Sequence, residues 1–177
     1  MNILFVYPRY PDAFWSFKYA LKFISKKAAF PPLGLLTVAA MLPSQWHKKL
    51  VDLNITNLSD EDIKWADYVF ISAMIVQQSS VREIIARCRQ LHTKTVAGGP
   101  LFTTGHEQFD LVDHLILGEA EDVLPRFLED LQKGCAQHIY QAEEHPDITR
   151  TPAPLWELVD IRTVSYTHLR AHETVLD

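Results

Sequence analysis

Five short apolar runs, each unbroken rather than alternating, restrict the fold of this chain more than any other feature. They are Ile3–Tyr7, Lys49–Leu53 (apolar at Leu50, Val51 and Leu53), Tyr68–Ser72, Thr95–Ala97 and His114–Leu117. Unbroken runs of this length fit strands that are covered on both faces. Helical spacing fills the gaps between them. Leu33, Leu36, Ala40 and Met41 share one face, between Pro31-Pro32 and Pro43. Val81, Ile84, Ile85 and Cys88 share another, opened by Ser80 with Glu83 at capping-box spacing. Val123, Leu124, Phe127, Leu128 and Leu131 form a further stripe, closed by Gly134. Ser59-Asp60-Glu61-Asp62 starts a short helix running to Ala66. Strand and helix alternate throughout, which predicts an α/β protein with a doubly wound, mostly parallel five-stranded sheet.

Two stretches fall outside that alternation. Arg9–Phe30 is a long insertion after the first strand, with Phe14, Phe17, Leu21 and Ile24 at helical spacing. Insertions of this length at a strand's carboxyl end tend to be functional. Glu143–Asp177 contains three closely spaced prolines, Pro146, Pro152 and Pro154, and shows no core-forming period after Asp160. The expected organisation is therefore a domain over 1–142, a linker over 143–163 and a disordered tail over 164–177.

Composition narrows the function. With 177 residues, 47% of them hydrophobic, the chain is long enough to bury the core of one domain. Its net charge is -5, and the densest basic runs are Lys26-Lys27 and Lys48-Lys49, which argues against a nucleic-acid partner. Two cysteines, Cys88 and Cys135, exclude a disulfide scaffold and an all-cysteine metal cluster. Cys88 falls on an apolar helix face and reads as core. His47, His92, His106, His114 and His138 lack metal-ligand spacing and read as surface residues. Pro31–Leu42 is too short to span a bilayer, and the amino end lacks the basic start of a signal peptide. The expected compartment is cytoplasmic, with no transmembrane segment.

Ligands of open parallel sheets bind outside the carboxyl ends of the strands. The first strand is followed by Pro8-Arg9-Tyr10-Pro11, with neither a Gly-x-Gly-x-x-Gly fingerprint nor a Walker loop. The second is followed by Asn54, the third by Ser72-Ala73-Met74-Ile75-Val76-Gln77, the fourth by Gly98-Gly99-Pro100 and the fifth by Gly118-Glu119-Ala120-Glu121. Singly these are ambiguous. Gly98-Gly99 fits a tight turn as well as a ligand slot, and Ser72 fits a strand-end hydroxyl satisfied by backbone. Glu119 and Glu121 equally suit a helix start.

Taken together and in order, these motifs resemble the cobalamin-binding domain at the amino end of cobalamin-dependent radical S-adenosylmethionine (SAM) enzymes. Pro31-Pro32-Leu33-Gly34-Leu35-Leu36 and the exit Thr151-Pro152-Ala153-Pro154-Leu155-Trp156 belong to the same likeness, which spans about Met1 to Asp160. It implies a flavodoxin-like or Rossmann-like cobalamin-binding fold. It also implies a cofactor site at Pro8, Arg9, Tyr10, Leu33, Gly34, Asn54, Ser72, Ala73, Met74, Ile75, Val76, Gln77, Gly98, Gly99, Pro100, Gly118, Glu119 and Glu121. The cofactor's nucleotide tail needs room beside the central strands, which a Gly-Gly pair leaves. A hydroxyl such as Ser72 suits a polar group of the tail, and Met74, Ile75 and Val76 suit the flat corrin. Tyr10, Phe14 and Trp15 either cover one corrin face or pack the insertion onto the sheet.

Three departures qualify the resemblance. Related domains that ligate cobalt carry Asp-x-His-x-x-Gly after the first strand. Here that place reads Pro8-Arg9-Tyr10-Pro11-Asp12-Ala13, which implies base-off cobalamin without a histidine ligand. The family's Gly-Glu-Gly-Glu is Gly118-Glu119-Ala120-Glu121, which keeps both carboxylates. The Cys-x-x-x-Cys-x-x-Cys that would hold an iron–sulfur cluster is absent, so the cluster and SAM would belong to a following radical SAM domain, and this chain alone would be inactive. Val164–Asp177 resembles a translated sequencing-adapter peptide, implying a truncated product. The resemblance implies a methyltransferase as the parent enzyme, and Arg9–Phe30 with the helix after it resembles members acting on lipid-like substrates, such as hopanoid methylases. The alternative is a flavodoxin-like ligand-binding or protein-interaction domain without cobalamin.

Overall fold

The computed structural model describes residues 1–11, 28, 30–142, 147, 149, 151–160 and 162–164. Six parallel strands form one sheet: β1 (Asn2–Tyr7), β2 (His47–Asp52), β3 (Tyr68–Ser72), β4 (Lys94–Gly98), β5 (His114–Leu117) and β6 (Ile139–Gln141). Their spatial order is β2-β1-β3-β4-β5-β6. The order reverses between β1 and β3, and that switch point is where such sheets open a crevice at their carboxyl edge. The five expected strands are all present. The sixth is a correction: β6 is three residues long and only Tyr140 is buried, so it carries no apolar run to betray it.

Among the described residues, five α-helices flank the sheet: α1 (Leu33–Met41), α2 (Asp60–Trp65), α3 (Gln78–Gln90), α4 (Pro100–Gly105) and α5 (Ala120–Lys133). Alternation along each strand sends side chains to two faces. Leu4, Val6, Val69, Ile71, Ala97, Leu115 and Leu117 pack with residues of α2, α3 and α4. Ile3, Phe5, Phe70, Val96 and Ile116 pack with residues of α1 and α5 and with Tyr140.

Local chemistry explains most element ends. Ser59 accepts from the Asp62 amide while the Asp62 carboxylate accepts from the Ser59 amide, a capping box that starts α2. Three expectations need revision. α3 starts at Gln78, preceded by a 3-10 turn over Ile75–Gln77, and the Ser80 hydroxyl accepts from Arg9 N (3.0 Å) instead of capping. α1 buries Leu35, Leu36 and Ala39 and leaves Leu33 exposed, because it is apolar on every side and sequence spacing has no polar stripe to orient it. His114 is buried, with its ring nitrogen 2.6 Å from Gln137 O and its ring against Phe127. Cys88 is buried as expected, and burial pushes its thiol up to about 12.

The segment after the domain is fastened in place. Leu155 N donates to Leu36 O (3.0 Å), and Leu155 and Leu158 pack on the α1/α5 core. Val164, the first residue of the expected tail, is buried and forms an isolated parallel bridge with Ala28. Most of the Arg9–Phe30 insertion and of the tail, Phe14 and Trp15 included, lies outside the described residues. No helix among the described residues is long and apolar enough to cross a membrane.

Candidate functional site

The crevice is built where the ends of β1, β3 and β4 meet the start of α1. Ser72 ends β3 in register with Gly98 of β4. Its hydroxyl is half-buried and has no hydrogen-bond partner among the described residues. Gly99 lies beside it at φ +90, a conformation that side chains rarely tolerate, and a Cβ there would approach Ser72 Oγ to 2.7 Å and Ala73 N and O to 3.3 Å. Gly34, in the first turn of α1, stands on the other side, where a Cβ would sit 3.9 Å from the same oxygen. Glycine at 99 therefore keeps the Ser72 hydroxyl uncovered at the switch point. A side chain at Gly98 would strike Ile116 O at 2.9 Å, so this glycine serves the close approach of β5.

An apolar surface borders this hydroxyl's strand. Met74, Ile75 and Val76 follow β3 and are 47%, 60% and 58% exposed, while Leu33 of α1 is 51% exposed. Ala73 is buried, and its backbone carbonyl accepts from Leu101 N at the start of α4, just after Pro100. Exposed apolar side chains grouped at a strand end form a surface that another molecule can cover.

The loop after β1 is held tightly from two sides. Pro8 O accepts from Gln77 Nε2 (2.6 Å) and from Asn54 Nδ2 (3.2 Å). Asn54 Oδ1 accepts from Tyr10 N (2.9 Å). The Arg9 guanidinium turns towards the β2 end, donating to Leu53 O (3.3 Å) and Asn57 Oδ1 (3.5 Å). Tyr10 and Tyr7 share a hydroxyl–hydroxyl hydrogen bond of 2.8 Å. Beside them Asp52 is buried. Its Oδ1 accepts from Asn54 N and Nδ2, both at 2.8 Å, and its Oδ2 has no partner among the described residues. Burial pushes this carboxyl above the usual range, against the pull of the two Asn54 hydrogen bonds. Burial, with Tyr10 and Asp52 adding to it, also raises the Tyr7 phenol far above its ordinary value.

At the far side of the crevice, Gly118 N donates to Thr103 Oγ1 (3.1 Å). Glu119 is exposed at the start of α5 and makes no capping hydrogen bond. Glu121 Oε1 accepts from Thr151 Oγ1 (3.2 Å) and so anchors the exit segment. The structure thus gathers Ser72, Gly34 and Gly99 around one hydroxyl and sets Met74–Val76 and Leu33 as exposed apolar surface. It places Asn54 and Gln77 in loop support, Arg9 towards the β2 end, and Glu121 on the exit. Sequence reading missed the supporting roles of Ser80, Thr103 and Thr151, hydroxyls that carry no signal until the fold supplies their partners.

These features define an open parallel α/β ligand-binding domain with a crevice at its switch point. Residues 24–128 match the model of the B12 binding domain. The chain belongs to that family, which decides between the two sequence readings in favour of a cobalamin-binding module. It is 42% identical over 164 residues to an uncharacterized methyltransferase of Synechocystis sp., covering 91% of this chain and 30% of that protein. It is 32% identical over 164 residues to the hopanoid C-2 methylase of Rhodopseudomonas palustris, covering 90% of this chain and 31% of that protein. The chain thus spans about a third of the length of these curated relatives. The amino-terminal domain of a hypothetical protein from Thermotoga maritima is similar over 64% of this chain and 90% of its own, with 21% identity and a TM-score of 0.41.

Proposed function

We propose that this chain holds cobalamin base-off at the Ser72 crevice and forms the amino-terminal part of a cobalamin-dependent radical SAM methyltransferase. The observation that carries the site is the Ser72 hydroxyl: unpartnered, half-buried, and kept open by Gly99 and Gly34. A partly exposed hydroxyl with no protein partner is free to hydrogen-bond a polar group of a ligand. These residues fit the nucleotide tail, which needs a narrow slot with one hydrogen-bonding group. Met74, Ile75, Val76 and Leu33 fit the apolar face of the corrin. Pro8, Arg9 and Tyr10 offer no imidazole, which supports a cofactor without a histidine ligand. Ala73, Pro100, Gly98 and Gly118 shape the backbone around the slot, and Glu119 is free to accept from the cofactor's amides.

Bound cobalamin supplies a cobalt centre that carries a methyl group. The residues of this chain bind and orient it and keep water from the covered face. A following radical SAM domain would supply the iron–sulfur cluster and SAM, reached through the linker over 143–163. The names of the two relatives support methyl transfer, and that of the hopanoid methylase supports a lipid-like substrate. A cytoplasmic address fits this assignment. The test is reconstitution with hydroxocobalamin, gel filtration and a visible spectrum. Retained cobalamin with base-off absorbance is expected, and colourless protein would overturn the assignment.

A further inference from the structure

Gln77 is a polar side chain with 0% exposure, in a place where burial needs a reason. Its Oε1 accepts from Met74 N (2.8 Å) and its Nε2 donates to Pro8 O (2.6 Å). Pro8 O also accepts from Asn54, whose amide is fixed by Asp52 Oδ1. One hydrogen-bonded chain therefore runs Asp52–Asn54–Pro8–Gln77–Met74 and ties together the ends of β2, β1 and β3, across the switch point. The Met74–Val76 turn carries its apolar side chains outwards; its backbone is tied by Gln77 N to Met74 O (2.9 Å) and Gln78 N to Ile75 O, and the Gln77 side chain is what joins it to the Pro8 loop.

We infer that Gln77 is a positioning residue for the cofactor: its carboxamide sets the apolar surface at Met74–Val76 against the Pro8–Tyr10 loop before the ligand arrives. The inference rests on the reading of this crevice as the cobalamin site. Only a carboxamide meets both demands, an acceptor for Met74 N and a donor for Pro8 O. Glutamate keeps the acceptor but turns a carboxylate on a carbonyl, and leucine leaves both backbone groups unpaired in a buried place. Preorganisation of this kind acts mainly on the lifetime of the complex.

The test compares wild type, Gln77→Glu, Asn54→Ala and the remote core variant Val112→Ala by hydroxocobalamin titration and by the dissociation rate of the bound cofactor. All are assayed well below their melting temperatures. Val112 is buried in the core under α2, α3 and α4 and lies outside the loops of the Gln77 network, so its variant is a control for lost packing. We expect Gln77→Glu to weaken binding at least about tenfold, mostly through faster dissociation, with Asn54→Ala weaker in the same direction and Val112→Ala at the wild-type value. Should Gln77→Glu fail to fold, Asn54→Ala carries the comparison, because Asn54 is only half-buried. Wild-type protein that retains cobalamin while both loop variants hold it equally well would overturn the positioning role alone. Wild-type protein that retains none would overturn the crevice assignment and this role with it.

Discussion

The two faces of the sheet differ in how they end. On the face covered by α2, α3 and α4, apolar side chains continue to the carboxyl edge, with Ile71, Ala97 and Leu117 buried in one core. On the face covered by α1 and α5, the core of Phe5, Phe70, Val96, Ile116 and Phe127 gives way to Ser72 and Gly98 at the next inward positions of β3 and β4. One face is closed by packing. The other stops one residue early on its central strands and leaves a polar group at the gap. Burial stabilises the fold on both faces, and Gly98 serves the close approach of β5, whereas the short side chain of Ser72 adds nothing to packing. It makes sense as room for a ligand, and the division of labour can be broken by mutating each face in turn.

The largest effect is expected on the closed face. Ile84 of α3 is 2% exposed in the core there. Ile84→Ala should lower unfolding stability by about 2–5 kcal/mol, through lost transfer energy and a residual cavity. Denaturant melts of the apo protein measure this. Cobalamin affinity, measured where the variant is still folded, should match wild type. A parallel loss of affinity would mean that the two faces are not separable.

Next comes the open face. Ser72→Leu places an apolar side chain in the gap at an ordinary strand position, so no backbone strain confuses the result. Cobalamin affinity should fall by at least about a hundredfold, and apo stability should change by less than about 1 kcal/mol, because Ser72 makes no hydrogen bond among the described residues. Gly99→Val should abolish retention as well, but with an added cost of about 1–3 kcal/mol for a branched residue at φ +90. Equal retention by Ser72→Leu and wild type would place the ligand elsewhere.

These predictions depend on features that were unequally legible in the sequence. Strands such as Ile3–Tyr7 and Tyr68–Ser72 stood out because both faces are buried, which makes the apolar run continuous. Tyr140 could not announce β6 alone, since Ile139 and Gln141 on either side of it are exposed at the sheet's edge. Gly98-Gly99 and Ser72 were found as strand-end residues. That Gly34 stands within contact distance of the same Ser72 oxygen depends on how α1 docks on β3, which no local pattern records. The position of Gln77 after the third strand suggests a ligand contact, while its amide bonds two loop backbones that no sequence pattern places beside it. Buried polar residues are the hardest to read, because their partners are distant in the chain.

A smaller effect is expected at Asp52, on the loop side of the crevice. Its folded pKa is raised by burial, so the folded state favours the protonated carboxyl. The sign follows: ionisation costs stability, the cost is absent below the unfolded pKa, and it grows as pH rises through the folded one. Asp52→Asn keeps an acceptor for Asn54 and replaces a buried charge with a neutral amide. We expect it to be more stable than wild type by about 1 kcal/mol at neutral pH, with the difference shrinking as pH falls towards 4. Melts across that range check it. A variant less stable than wild type at neutral pH would show that the carboxylate is satisfied in solution.

The smallest effect concerns strain away from the crevice. His92 follows α3 at φ 58, a left-handed conformation, and its amide donates to Arg89 O while Thr93 N donates to Cys88 O. This is the geometry with which glycine commonly ends a helix, and histidine adopts it at a cost. It lies at the amino edge of the sheet, just before β4, at the opposite end from Ser72 and just past a helix of the closed face. His92→Gly removes the Cβ clash but gives the unfolded chain more freedom, so the two effects partly cancel. The net expectation is a gain of about 0.5 kcal/mol, seen as a small rise in the melting midpoint, with cobalamin affinity unchanged. If the variant instead lost cobalamin, strain at the amino edge would be coupled to the crevice across the full length of the strands. The closed face would then be part of the binding device rather than its support.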